Sequence, residues 1–90
     1  MIKEELLEEI KNKLKDYTNE INDITAINSP NTKSYLGNIK LFDVENIDTV
    51  NDILNDMFNV YGEYSLNSRK INSCCSPTYI LISFKLNMAI

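Results

Sequence analysis

The chain has 90 residues and 43% hydrophobic content, enough for one small domain with a single modest core and too apolar for a disordered chain. Nine Lys and Arg against 13 Asp and Glu give a net charge of −4, with no His, no Trp and only two Cys. The lack of His removes the commonest general base and metal ligand, and two Cys build neither a structural zinc site nor a disulfide scaffold. An acidic chain without a basic arm is poorly suited to direct nucleic-acid binding.

The first segment holds Leu7, Ile10, Leu14, Tyr17, Ile21 and Ile24 at alternating spacings of three and four, the stripe of an amphipathic helix. The expected helix covers about residues 2–24. Glu4, Glu5, Glu8 and Glu9 crowd its start, where they complement the helix dipole, and Glu9 with Lys13 forms an i,i+4 pair in the better orientation. The stripe either lies on a sheet or serves self-association, being too short for a sustained coiled coil.

Asn28-Ser29-Pro30-Asn31 marks a loop over residues 25–31. Residues 33–36 and 39–44 read as two strands around Gly37-Asn38, whose leading glycine suits a tight hairpin, with one continuous strand as the other reading. A second helix is expected over about 47–61. Its apolar face is Ile47, Val50, Ile53, Leu54, Met57, Phe58 and Tyr61, with Asn46 or Asp48 as cap and Gly62 as terminator. Tyr64 to Ile71 reads as a strand, Asn72 to Pro77 as a loop, and Thr78 to Met88 as the best strand of the chain. In that last strand Ile80, Ile82, Phe84, Leu86 and Met88 share one face.

These elements make a single α+β domain over residues 1–90, in the order α-β(β)-α-β-β. The expected sheet has three or four mostly antiparallel strands, with both helices on one face. The strand–helix–strand step through the second helix leaves a parallel crossover open as an alternative.

Chemistry is sparse. No nucleophile–base pair includes a His, and Gly37 and Gly62 are isolated, so no phosphate-cradling loop is present. The expectation is a non-enzyme without a cofactor or metal. Asp48 and Asp52 lie on a helix, not in a calcium loop. Cys74 and Cys75 read as ordinary cysteines, since no basic residue closer than Arg69 and Lys70 favours a thiolate. The charged N-terminus lacks the apolar run of a signal peptide, and no stretch is long enough to span a membrane, so a cytoplasmic protein is expected. The 13 Asn, with frequent Ile and Lys, fit an AT-rich genome such as that of a low-GC bacterium, its phages or its plasmids.

The acidic residues are unevenly placed. Residues 41–68 carry Asp43, Glu45, Asp48, Asp52, Asp56 and Glu63 with no Lys or Arg, so this segment holds −6 while the remainder sums to +2. Asp48, Asp52 and Asp56 recur every four residues, and Asn51, Asn55 and Asn59 follow on an adjacent strip. Four residues rise about 6 Å along a helix, close to the roughly 6.8 Å of two steps along one DNA strand. Like charges at i,i+4 destabilise a helix slightly, so the ladder has no local reason to exist beyond Asp48 at the N-terminal end. One reading is a solvated face. The other is an acidic surface, also holding Asn51, Asn55 and Asn59, that meets a basic groove on a nucleic-acid-handling host protein.

In size, acidity and lack of catalytic groups the chain resembles the small inhibitors encoded by phages and mobile elements, of which anti-CRISPR proteins are the best-known class. The likeness is of type, not of motif. The leading expectation is therefore a non-enzymatic inhibitor acting through protein–protein contact as a nucleic-acid mimic. The alternatives are a homodimeric structural or regulatory module assembled through Leu7, Ile10, Leu14, Tyr17, Ile21 and Ile24, and a small-molecule-sequestering protein. Tyr35, Tyr61, Tyr64 and Tyr79 are candidate aromatic anchors.

Overall fold

A computed structural model describes residues 3–72, 74 and 77–89. Two helices, α1 (Lys3–Lys13) and α2 (Ile47–Asn59), pack against a five-stranded antiparallel sheet. The strands are β1 (Asn19–Ile21), β2 (Thr25–Asn28), β3 (Thr32–Leu41), β4 (Glu63–Ile71) and β5 (Tyr79–Ala89). Across the sheet the order is β1, β3, β5, β4, and β2 pairs with the same edge of β3 as β1 does. β3 and β4 run in the same direction with β5 between them, so α2 carries the chain over β5 to the far edge.

Helix α1 is half the expected length. It stops at Lys13, and residues 19–21 and 25–28 are strand instead. The Asn19 side chain donates to the carbonyls of Leu14 at 2.9 Å and Tyr17 at 2.6 Å, occupying acceptors that the helix end leaves open. Beyond Tyr17 the residues are mostly Asn, Asp and β-branched, weak helix formers that gain ladder hydrogen bonds by pairing with β3. Between Ile21, opposite Ile39, and Thr25, opposite Leu36, three residues face two, which is a bulge. The extra residue lets both Ile21 and Ile24 turn toward the core, Ile24 completely. Their 3.5-residue spacing from Tyr17 therefore imitates a helical stripe without being one.

The hairpin at Gly37-Asn38 is absent as well. β3 is one ten-residue strand, paired with β5 from Thr32 opposite Ala89 to Leu41 opposite Ile80. Gly37 faces Phe84, and a methyl group at Gly37 would stand 2.7 Å from the Phe84 ring. The glycine therefore makes space for an aromatic side chain and turns nothing. The real hairpin comes earlier, where Asn28 opposes Lys33 and the Ser29 amide bonds the Thr32 carbonyl at 2.8 Å. The Ser-Pro-Asn loop is thus shorter than expected.

A 3₁₀ turn at Val44–Asn46 leads into α2. Asn46 occupies the N-cap position but makes no side-chain capping bond. Gly62 follows the helix end with φ of +155°, and a Cβ there would meet the Asn87 carbonyl oxygen at 2.5 Å.

One core joins the layers. Leu6, Ile10 and Leu14 come from α1 and its exit, and Val50, Leu54, Met57 and Phe58 from α2. Tyr35, Ile39 and Leu41 of β3 and Ile80, Ile82, Phe84 and Leu86 of β5 complete it. Phe58 packs on Phe84 at 5.1 Å and on Tyr64 at 5.8 Å between ring centroids. The buried strand residues alternate, so both helices cover one face of the sheet and the other face carries no helix. No helix among the described residues is long and apolar enough to cross a membrane.

Candidate functional site

Each turn of α2 that presents an apolar residue to the sheet presents an Asp to solvent. Val50, Leu54 and Met57 are buried, and Asp48, Asp52 and Asp56 are exposed along the outer surface. The ladder is therefore real and faces outward. None of its carboxylates takes part in an ion pair among the described residues, where the Lys3–Asp23 contact at 3.3 Å is the one found.

The expected partner-binding residues divide into two groups. Glu45, Asp48, Asp52, Asp56, Asn59 and Glu63 are exposed. Asp43, Asn51 and Asn55 are committed within the fold. The Asp43 carboxylate accepts the Thr18 amide at 2.8 Å, tying the α1–β1 connection to the end of β3. Asn55 accepts the Tyr64 hydroxyl at 2.9 Å, and Asn51 has its side-chain oxygen buried without a hydrogen-bond partner. The Asn strip thus does not form a second exposed row: Asn55 is held by Tyr64 of β4, Asn51 is partly buried, and Asn59 alone is exposed.

The proposed self-association stripe also dissolves. Ile10, Leu14 and Ile24 are fully buried in the chain's own core, and Leu7, Tyr17 and Ile21 are half-buried around it. Of the four tyrosines, Tyr35 is completely buried and the others are partly exposed. Tyr79 lies on the opposite sheet face, against Phe42 and under the Lys40 ammonium at 5.4 Å. Cys74 is exposed in the β4–β5 connection, and Cys75 lies outside the described residues.

The acidic surface also takes in the glutamates of α1, which lie far from residues 41–68 in sequence. The fold brings α1 alongside α2, and the Tyr61 hydroxyl donates to the Glu9 carboxylate across the gap. That bond, with partial burial and the charges of Glu9 and Glu5, pushes the Tyr61 hydroxyl up from its ordinary 10 to about 12. A groove of about 390 Å³ runs between the helices, lined by Glu9 and Lys13 from α1 and by Ile53, Asp56, Met57 and Val60 from α2 and its exit. Val60 is 80% exposed, the most prominent apolar residue on this side. Counted by layer, the helical segments hold eight acids against three Lys, and the strands two acids against five Lys and Arg. The crowding of four Glu at the start of α1 was the available sequence signal, once both helices were placed on one face.

Among the described residues no group of three or more His, Cys, Asp or Glu is gathered closely enough to hold a metal ion. What this face offers is a row of exposed carboxylates on α2 beside a groove with an apolar floor of Ile53, Met57 and Val60. Compared with protein-family models, with curated proteins and with solved structures, the chain matches none.

Proposed function

We propose that the protein is a non-enzymatic binding protein whose acidic helical layer occupies a basic groove on a nucleic-acid-handling protein and blocks it, as phage- and mobile-element-encoded inhibitors of host defence do. The observation that carries this reading is the line of Asp48, Asp52 and Asp56, all exposed and none ion-paired among the described residues. Carboxylates repeated at about 6 Å repel one another along a helix, and of the three only Asp48, in the first turn, gains from the helix dipole, so a complementary cationic surface supplies the favourable energy for the row. The Glu residues of α1 widen the negative field, and Val60 with Ile53 supplies an apolar contact at its centre.

The test is capture from host lysate on the immobilised protein, with the Asp48→Lys/Asp52→Lys/Asp56→Lys variant in parallel. The wild type is expected to retain nucleic-acid-binding proteins that duplex DNA displaces and that rising salt releases steeply. The triple variant is expected to lose them. Retention by the variant with an unchanged salt dependence would refute charge mimicry.

A further inference from the structure

β4 ends the sheet. It is paired to β5 through nine unbroken residue pairs, from Glu63 opposite Asn87 to Ile71 opposite Tyr79, and no strand lies on its other side. Among the described residues no loop or helix gives backbone hydrogen bonds to that outer edge. The opposite edge of the sheet is guarded differently. There the outermost segments are three and four residues long and interrupted by the bulge at residues 22–24. Short and bulged edges resist pairing, whereas a long regular edge without Pro or Gly is a template for another strand.

The charges of β4 select what that strand is. Its sole carboxylate, Glu63, and its Arg69 are both exposed and both lie on the sheet face without helices. Directly opposed residues of two strands must share a face, so a two-fold axis relating two β4 strands passes through a residue and not between two. With the axis at Leu66, Glu63 stands opposite the partner's Arg69, and symmetry repeats the pair. With the axis at Asn67, Glu63 meets Ile71, and with it at Arg69 or Lys70 a cation opposes itself. One register alone places the carboxylate opposite a cation.

We propose that β4 pairs antiparallel with β4 of a second copy about Leu66, joining two sheets into one continuous sheet. The occupant of the edge is a second copy because the edge is complementary to itself: acid at its start, base at its end, at the spacing the pairing requires. Since opposed residues share a face, the helical layers of both copies lie on the same side. α2 sits beside β4, as the Tyr64–Asn55 and Tyr64–Phe58 contacts show, so two Asp ladders flank the seam. The dimer does not depend on the inhibitory function, and its test involves no partner protein.

Sedimentation equilibrium from micromolar to millimolar protein, with reductant present, measures the association. The wild type is expected to form a dimer. Glu63→Arg and Arg69→Glu are each expected to weaken it about tenfold, because both symmetry-related pairs become repulsive. The double variant Glu63→Arg/Arg69→Glu is expected to restore it. Circular dichroism checks that each variant is folded. In a Cys74→Ser/Cys75→Ser background, Leu66→Cys is expected to oxidise to a covalent dimer faster than Ser65→Cys, which opposes Asn67 and not itself. A monomeric wild type at all concentrations, a dimer indifferent to the charge swaps, or equal cross-linking at 65 and 66 would overturn the proposal.

Discussion

Tyr61 joins the two helices through its hydroxyl, which donates to Glu9 on α1 from the exit of α2. The folded state holds this proton up to about pH 12, while an unfolded tyrosine releases it near 10. The folded protein therefore binds more protons than the unfolded one between those values, and stability falls as pH rises through the window. Below pH 10 the contribution is fully present. Chemical denaturation from pH 9 to 12 is expected to show a steeper loss for the wild type than for Tyr61→Phe, which lacks the proton. Equal slopes would mean that the contact is not formed in solution. Asn19 acts on the same scale with a larger structural result. Its amide group, bonded to the Leu14 and Tyr17 carbonyls, ends α1 and starts β1. Nothing in the apolar periodicity marks it, because capping depends on one side chain and periodicity on many.

At the scale of elements, α2 and β5 were legible almost to the residue, and β4 nearly so. Each has a strong period, 3.6 or 2, and one face that only a core can satisfy. α1 is shorter than its stripe implies, and of the two readings of residues 33–44 the continuous strand is the one that forms. In α1 a bulge rotated two isoleucines into line with a helical stripe. In β3 a glycine beside an asparagine imitated a turn, although its role is to leave space for the ring of Phe84. Gly37→Ala separates the two roles. A turn glycine would tolerate alanine poorly through backbone strain, yet the backbone at Gly37 does not have positive φ. The new methyl instead collides with a buried ring already packed on Phe58, an overpacking cost of roughly 1–3 kcal/mol. Gly37→Ala/Phe84→Leu is expected to recover part of that loss, measured by urea denaturation. No recovery would place the cost in the backbone.

At the scale of the whole molecule the fold sorts charge by layer, acids on the helices and bases on the strands. Carboxylates on two neighbouring helices repel across water, and salt relieves this. Raising ionic strength from about 0.01 to 0.15 M shortens the screening length from roughly 30 to 8 Å. The melting temperature of dilute protein is expected to rise over this range. Asp52→Asn, which removes the middle of the ladder, is expected to stabilise by a few tenths of a kcal/mol at low salt and by less at high salt. Calorimetry at both ionic strengths checks this, and a melting temperature that falls with salt would show that the acids are paired favourably within the chain. A surface that destabilises its own fold and is exposed is consistent with the proposed use of that surface in binding.

The α+β class, the order of the main elements, the second helix with its Asp ladder and the central strand β5 all follow from the sequence alone. They follow because local periodicity and the need to bury one face act within a single segment. The end of α1, the unity of β3 and the broken edge made by β1 and β2 were decided by tertiary structure, through pairing with residues distant in the chain. So was the character of the acidic face. Sequence separation put the glutamates of α1 apart from the aspartates of α2, and packing on one side of the sheet brought them together.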